Sequence, residues 1–333
     1  LAVFVQEKFI MTRFLKTKSL YYHDVNLIAA RGHVISRKLV ADEKYRIMVA
    51  PMSAIVGEKF SEEAAKLGLS VILHRFCTIE AQVGIFNKIK KHSPHIWCAI
   101  GLKEPERVEA LAKAGCENFL LDVANGYSEI TISFLNDFMK KKMAAKIMSG
   151  NVHTATGFAL LENAMHQDNV LGFVRVGIGN GAACLTTKEA TGFGRGQISE
   201  ILECSEYKTD VSSRCQIIAD GGIRNAADAA KAFGAGANYV MMGSYFSRAA
   251  EAETHVIGDG TYWGGASTKQ QELFGGVRRH AEGTVLQISD PLKPLSELVD
   301  NLWMSLASAV SYSGKSSLAD FVGEGVFEIK YSG

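Results

Sequence analysis

The stretch Val174–Gln197 reads V-R-V-G-I-G-N-G-A-A-C-L-T-T-K-E-A-T-G-F-G-R-G-Q, and it brings one thiol to the end of a glycine-rich turn. Alternate glycines at Gly177, Gly179 and Gly181 let the backbone take positive φ, so that carbonyls and amides turn toward a ligand or ion. A cysteine at the close of such a turn, Cys184, is open to solvent and near oriented dipoles, where a thiolate is stabilised. Thr186 and Thr187 follow almost at once, and Thr186 is close enough in the chain to pass a proton. Cys184 is therefore expected to act as a nucleophile. On spacing alone, the same residues also read as a connecting turn carrying a buried small thiol.

A lone thiol needs other segments to bring a substrate to it, and the chain supplies a regular frame. Apolar, β-prone runs occur at Tyr45–Ala50, Ser70–Leu73, Ile96–Ile100, Asn118–Val123, Ala145–Met148, Gly172–Val176, Gln216–Ala219 and Asn238–Met242. Amphipathic windows lie between them, at Glu58–Leu67, Ile79–Lys91, Glu104–Ala114, Glu129–Lys142, Thr154–Gln167, Gln197–Ser212 and Asn225–Gly234. In Glu104–Ala114, Val108, Leu111 and Ala112 share one helical face while Glu104, Glu106 and Arg107 supply the polar side. Gly68, Gly115 and Gly234 follow predicted helices, where a left-handed cap is expected. Eight nearly all-apolar strands alternating with helices predict parallel strands buried on both faces, closed into an α/β fold of the (β/α)8 TIM barrel type. A last helix is expected at Leu292–Ala309. Before it, the excursion Ser244–Asp290 far exceeds the usual ~4–6 residue connection and is expected to be a functional lid after the eighth strand.

In such a barrel the C-terminal strand ends carry the chemistry. Pro51 and Met52, His74 and Arg75, Asp122, Asn151, Cys184, Asp220, and Gly243 with Ser244 all fall there and converge on one rim. Asp220-Gly221-Gly222 before a helix near Asn225, and Met242-Gly243-Ser244 after the next strand, suit a phosphate and a ribose. Glycine amides and a helix N-terminus aim donors at an anion, and a carboxylate accepts from hydroxyls. The D-G-G also reads as a plain turn with Asp220 as a helix cap.

The chain has 333 residues, 47% hydrophobic and 21% charged, with a formal net charge of +1. That length supports a large core, as one big domain or two ordinary ones. Near-neutrality argues against duplex nucleic acid as a partner, because neutralising phosphates needs clustered Lys and Arg. Six cysteines (Cys77, Cys98, Cys116, Cys184, Cys204, Cys215) without C-x-x-C spacing favour a reducing, cytoplasmic setting over a zinc knuckle or a disulfide frame. No apolar run reaches ~18 residues, so no membrane span is expected. Leu1–Ile10 reads as an N-terminal extension, and residues 11–333 as a single catalytic barrel.

G-I-G-N-G-A-A-C-L-T-T resembles the catalytic loop of the IMP dehydrogenase/GMP reductase family. L-D-V-A-N-G-Y-S at Leu121–Ser128, I-M-S-G-N-V at Ile147–Val152 and I-A-D-G-G-I at Ile218–Ile223 resemble further motifs of that family, in its order. The likeness runs from about Val25 to the last helix. It implies a (β/α)8 barrel in which Cys184 adds to purine C2 and Thr186 and Glu282 relay protons. It implies a purine mononucleotide held by Met52, Asp220, Gly221, Gly222, Gly243, Ser244, Gly264, Gly265, Ala266, Arg279 and Gly283. Among these, T-Y-W-G-G-A-S-T at Thr261–Thr268 resembles the purine-contacting segment, with Gly265 where the family usually has Met. V-R-R-H-A-E-G-T at Val277–Thr284 resembles the R-x-x-E-G that closes reductase sites, and by itself it also reads as a solvated charge run.

The chain has no G-x-G-x-x-G fingerprint in a βαβ setting, so a dinucleotide is expected across the barrel mouth. The resemblance gives Asp122, Val123 and Ala124 to the nicotinamide ribose, with Arg75 where reductases usually have Lys. Ser36 and Arg37 match a pair that reaches the cofactor of a neighbouring subunit, and Ser308, Ser311, Tyr312 and Gly314 match the adenosine side. Each of these last two groups also reads as an ordinary turn or helix end. A monovalent cation, K+ in the family, falls to carbonyls of Gly179, Gly181 and Cys184, and a homotetramer is implied.

The excursion, shorter than the flap of the family's dehydrogenases and with His280 rather than Tyr after Arg278-Arg279, resembles that of a reductase. Arg195 in G-F-G-R-G-Q is nearer the dehydrogenase pattern. The expected activity is NADPH-dependent reductive deamination of GMP to IMP and ammonia through a Cys–purine thioimidate. The alternatives are IMP oxidation to XMP with NAD, or a non-catalytic nucleotide-binding barrel.

Overall fold

Each barrel strand is apolar on both faces because one face meets the barrel interior and the other meets helices. In the computed structural model, which describes residues 18–34, 36–182, 191–273 and 283–330, a short strand β1 (Val25–Leu27) precedes eight that close on themselves. These are β2 (Ile47–Val49), β3 (Ser70–Leu73), β4 (Ile96–Ile100), β5 (Asn118–Leu121), β6 (Lys146–Val152), β7 (Leu171–Val176), β8 (Gln216–Asp220) and β9 (Tyr239–Met242). Neighbours pair in parallel throughout, and β2 with β9 completes the ring. The expected (β/α)8 architecture is the observed one.

Side chains alternate along every strand, so two cores form. Met48, Ile72, Trp97, Ala99, Leu120, Met148, Phe173, Ile218 and Met241 fill the interior. Their neighbours in sequence, such as Val49, Val71, Cys98, Phe119, Ile147, Val174, Ile217 and Val240, pack outward in the larger core. The outer ring is α1 (Glu58–Lys66), α2 (Ile79–Ile89), α3 (Pro105–Lys113), α4 (Glu129–Lys140), α5 (Ala155–Met165), α6 (Gln197–Asp210) and α7 (Ala226–Gly234). Trp97 stands edge-on to Phe173 at 4.9 Å between centroids, and Phe173 to Tyr239 at 5.3 Å, making an aromatic floor.

Gly68 and Gly115 take the expected left-handed caps, at φ +82° and +89°. Gly234 does not. It is the last residue of α7, and the left-handed position falls at Gly236, φ +112°. Gly234 is instead needed for close approach: a Cβ there would stand 3.2 Å from the Gly325 Cα and 3.1 Å from Leu27. Leu27 belongs to, and Gly325 leads into, a small antiparallel sheet of β1 with β12 (Phe327–Ile329) packed beside α7, which periodicity did not reveal.

The excursion after β9 has its own structure. It holds the short helices α8 (Glu253–Val256) and α9 (Thr268–Leu273), and a two-stranded sheet of β10 (Thr261–Trp263) with β11 (Val285–Gln287). The last long helix, α10, runs Leu295–Tyr312, three residues later than expected, because Pro294 occupies its N-cap and the Leu295 amide donates to Glu251 at 2.9 Å. α11 (Leu318–Phe321) follows it.

Candidate active site

Two residues beyond the interior layer, the same inward register delivers His74, Asp122, Gly150, Arg175, Asp220 and Gly243 to the barrel mouth, with Met52 on the loop after β2. The layer changes from apolar to charged in one step. Arg175 Nη2 and Nε lie 2.8 and 3.0 Å from Asp220 Oδ2, and its Nη1 lies 3.5 Å from Asp122 Oδ1. Arg75 Nε reaches the other oxygen of Asp122 at 3.3 Å. The mouth is thus lined by an alternating chain of Arg75, Asp122, Arg175 and Asp220. Beside it, burial lowers His74 from 6.5 to about 4, with the Arg107 charge adding to that and Asp122 opposing it. The ring is neutral at physiological pH, and its Nδ1 meets no partner among the described residues.

Asp220 is oriented with care. Oδ2 takes the Arg175 donors and also Asn151 Nδ2 at 2.8 Å, while Oδ1 takes no hydrogen bond among the described residues. One oxygen is tied down, and the other is an acceptor that meets no donor among the described residues. Asn151 Nδ2 also donates to the Gly177 carbonyl at 2.7 Å, and Gln197 Nε2 donates to the carbonyls of Val176 at 2.7 Å and Asp220 at 3.3 Å. The loops after β7 and β8 are therefore fixed from beneath by two amide side chains. They also touch: a Cβ on Gly221, φ +96°, would stand 2.8 Å from the Gly181 amide nitrogen. Gly177 and Gly179 take positive φ as expected; Gly181 carries no such φ.

The excursion closes over this rim. Trp263 is 1% exposed, and its Nε1 donates to Ser53 Oγ at 3.1 Å and Gln270 Oε1 at 2.9 Å, which anchors β10 to the loop after β2. Tyr262 Oη lies 3.1 Å from the Met52 sulfur. Gly243 is bare because both groups crowd it: a Cβ would come within 2.6 Å of Tyr262 Oη and 2.9 Å of Met52 Sδ. Gly265 lies against the Phe76 ring, at 3.4 Å for a Cβ. The Gly283 amide donates to the Ala266 carbonyl at 3.3 Å, and that of Gly264 to the Thr284 carbonyl at 3.4 Å. Thr284 Oγ1 in turn donates to the Ala182 carbonyl at 3.5 Å, so the returning edge of the excursion meets the glycine-rich loop. Cys184, Thr186, Arg279 and Glu282 lie outside the described residues, as does the Leu1–Ile10 stretch.

The residues expected to hold a dinucleotide fall in two places. Arg75 and Asp122 are at the mouth, and Val123 and Ala124 continue the loop after β5 beside them. Ser36, Arg37, Ser308, Ser311, Tyr312 and Gly314 are grouped at the opposite end. The Ala30 amide donates to the Tyr312 carbonyl at 2.9 Å, the Ala41 amide to Ser316 at 2.8 Å, and Gly32 lies against Gly314, which takes φ +77°. Arg46, just before β2, donates at 3.1 Å to the Asn238 carbonyl just before β9, which puts this region at the N-terminal strand ends. α10 has 18 residues, about 27 Å of helix, starting beside the mouth and ending away from it. Tyr312 is 71% exposed there. The two groups of predicted residues are not brought together within one chain.

Comparison with known proteins fits this arrangement. Residues 20–331 match the model of the IMP dehydrogenase / GMP reductase domain. The chain belongs to this family. It is 32% identical over 317 residues to a GMP reductase of Pediococcus pentosaceus, covering 89% of this chain and 92% of the relative. It is 33% identical to one of Enterococcus faecalis, with the same coverage, and 31% identical to one of Helicobacter pylori over 89% and 92%.

Within the IMP dehydrogenase/GMP reductase barrel, Arg195 has a structural partner. It pairs with Glu203 of α6, whose other oxygen accepts the Ala155 amide at the start of α5 at 2.9 Å. Sequence reasoning left Arg175 and Gln197 unassigned and gave Asn151 only a place on the rim. A signal for Arg175 existed: a guanidinium in the otherwise apolar V-R-V of a doubly buried strand must find carboxylates. Gln197 gave none, because an amide at a helix start is usually solvated. The described thiols are unsuited to nucleophilic work. Cys98, Cys116, Cys204 and Cys215 are buried, burial raises Cys98 and Cys204 and pushes Cys215 up to about 12, and it raises half-buried Cys77.

Proposed function

We propose that this chain is a GMP reductase, an oxidoreductase that converts GMP to IMP and ammonia at the expense of NADPH. The observation that carries the reading is the tied carboxylate of Asp220 at a strand end on the rim, with one oxygen held by Arg175 and Asn151, the other without a donor among the described residues, and glycine loops beside it. That is an arrangement for a ribose next to a phosphate. In this reading Asp220 Oδ1 accepts from the ribose hydroxyls, and the amides of Gly221, Gly222, Gly243 and Ser244 receive the phosphate. Met52, Gly264, Gly265, Ala266, Arg279 and Gly283 enclose the purine.

Cys184 is the nucleophile. Its thiolate adds to purine C2, and the 2-amino group leaves as ammonia after taking a proton passed by Thr186 and Glu282, which leaves a thioimidate on the sulfur. Hydride arriving at C2 then lets the C–S bond break, returning the thiolate and releasing IMP. The contact of Thr284 with Ala182 supports this assignment, because it brings the described neighbours of both loops together.

Arg75 and Asp122 suit a dinucleotide: they are a cation and a hydroxyl acceptor, 3.3 Å apart and partly exposed at the mouth. With Val123 and Ala124 they would hold NADPH, which supplies the hydride when bound. Ser36, Arg37, Ser308, Ser311, Tyr312 and Gly314 lie at the far end of the barrel, so in this reading they serve a neighbouring copy in a homotetramer. A K+ ion suits the carbonyls of Gly179 and Gly181, which accept no hydrogen bond among the described residues, together with that of Cys184. No helix among the described residues is long and apolar enough to cross a membrane, and the reading is of a cytoplasmic enzyme.

The test is direct. Purified protein with GMP should consume NADPH and release ammonia in equal amounts, with no NAD reduction on IMP. Turnover of IMP with NAD in place of GMP with NADPH would make it a dehydrogenase, and binding of GMP without turnover would make it a nucleotide-binding barrel.

A further inference from the structure

The geometry points to Arg175 as a positioning residue that couples the two half-sites, so that occupancy of the nucleotide site tightens the dinucleotide site and the reverse. This inference rests on the GMP reductase reading, in which Arg175 only holds Asp220, and gives that residue a second role toward Asp122. Arg175 is a single side chain bonded to both acceptors: Nη2 and Nε hold Asp220 on the nucleotide side, and Nη1 reaches Asp122 on the dinucleotide side. Its side chain is 11% exposed, and it stands two residues beyond the inward-facing Phe173 on β7, where the apolar interior gives way to the charged rim.

Gly150 on the neighbouring strand makes the room, since a Cβ there would lie 2.7 Å from that of Arg175 and 2.6 Å from its carbonyl oxygen. A guanidinium is planar and presents its donors in a rigid fork, so the angle at which it meets one carboxylate fixes the angle at which it meets the other. A ribose hydroxyl donating to Asp220 Oδ1 holds that carboxylate still, which holds the fork still and with it Asp122. The second ligand then meets an acceptor already ordered. Such coupling is reciprocal by thermodynamic necessity.

The experiment uses the full chain with Cys184→Ala, so that no chemistry consumes ligand. GMP and NADPH are titrated calorimetrically, each alone and each in the presence of the other. The expected result is an affinity for NADPH about fivefold or more higher with GMP bound, and the same factor for GMP with NADPH bound. In Cys184→Ala with Arg175→Gln, each ligand alone should weaken by about tenfold, and the coupling factor should fall to about one. Arg175→Lys keeps the charge without the fork. It should restore much of each single affinity and little of the coupling.

A residue that only supports the fold would lower the melting temperature and leave the coupling factor unchanged in the folded protein. That result overturns the inference, as does a parent in which the two ligands bind independently. Should Arg175→Gln fail to fold, Asp122→Asn and Asp220→Asn give the same readout, and full coupling in both would overturn it. Failure of the parent to bind GMP or NADPH at all is a different outcome, since it removes the functional reading itself.

Discussion

Asn151 Nδ2 donates to Asp220 Oδ2 at 2.8 Å and to the Gly177 carbonyl at 2.7 Å, so one amide ties the Asp220 carboxylate to the start of the glycine-rich loop. Removing it leaves a partly buried carbonyl and a carboxylate short of a donor, a loss of about 1–3 kcal/mol. Asn151→Ala should raise KM for GMP about tenfold or more while moving KM for NADPH far less, in steady-state assays. Asn151→Asp should be worse, because it sets two carboxylates against each other. Equal KM values in parent and Asn151→Ala would show that the tie does not hold the nucleotide site.

Backbone space makes a second prediction. Gly221 takes φ +96°, and a Cβ there would approach the Gly181 amide nitrogen to 2.8 Å; Gly258 takes φ +75° with nothing within 4 Å. Both strain an L-residue by roughly 1–2 kcal/mol, but only Gly221→Ala also pushes the two loops apart. Thermal melts should show a larger loss for Gly221→Ala than for Gly258→Ala. GMP turnover should fall at least about tenfold in the first and stay near the parent in the second.

Alkylation separates the thiols. Cys98, Cys116, Cys204 and Cys215 are buried, and half-buried Cys77 is held above its ordinary value by burial. Brief treatment with iodoacetamide at neutral pH should label Cys184 alone in peptide mass spectra, in step with loss of turnover, and GMP should protect it. Inactivation that tracks any other cysteine would exclude Cys184 as the nucleophile.

The sequence carried the barrel because each strand is buried on both faces, which leaves an uninterrupted apolar run such as I-W-C-A-I, and because glycine ends helices at Gly68 and Gly115. The rim residues followed from strand ends, so Asp122, Asp220 and Gly243 were legible. What escaped depends on contacts distant in sequence. Gly234 looks like a cap and serves a packing contact with Gly325; β1 meets β12 from the other end of the chain; Arg175 and Gln197 matter for partners on other strands. No local pattern encodes such partners. The placement of Ser308–Gly314 away from the mouth was hidden for the same reason, since a motif match names residues but not which end of a barrel they occupy.

His74 makes stability depend on pH. Its folded value is lowered from 6.5 to about 4, chiefly by burial, so the unfolded chain takes up a proton near pH 6.5 that the native chain refuses until about pH 4. The stabilisation is complete above pH 6.5 and is lost as pH falls through that window, by up to about 3 kcal/mol. His95 and His153 are lowered by burial as well and act with the same sign. Urea midpoints should fall from neutral pH toward about pH 5 in the parent and fall less in His74→Gln. Parallel lines for the two proteins would show that His74 is not the source.

The far-end cluster gives the last prediction. Tyr312 is 71% exposed, and the Ala30 amide is bound to its carbonyl, on the side of the barrel away from Asp220. If that end completes the dinucleotide site of a neighbouring barrel, a chain lacking Cys184 can still lend its Arg37 and Tyr312, and a chain lacking those can still use its own thiol. Cys184→Ala alone should be inactive. Arg37→Ala with Tyr312→Ala should show an NADPH KM raised about tenfold or more. Unfolded together and refolded at equal concentration, the two should form mixed assemblies in which some sites have both an intact thiol and an intact neighbouring end. At low NADPH, activity in the mixture should exceed the average of the two parents refolded alone, and light scattering should report assemblies larger than one chain. A mixture no more active than that average, with mixed assemblies present, would mean each barrel completes its own site.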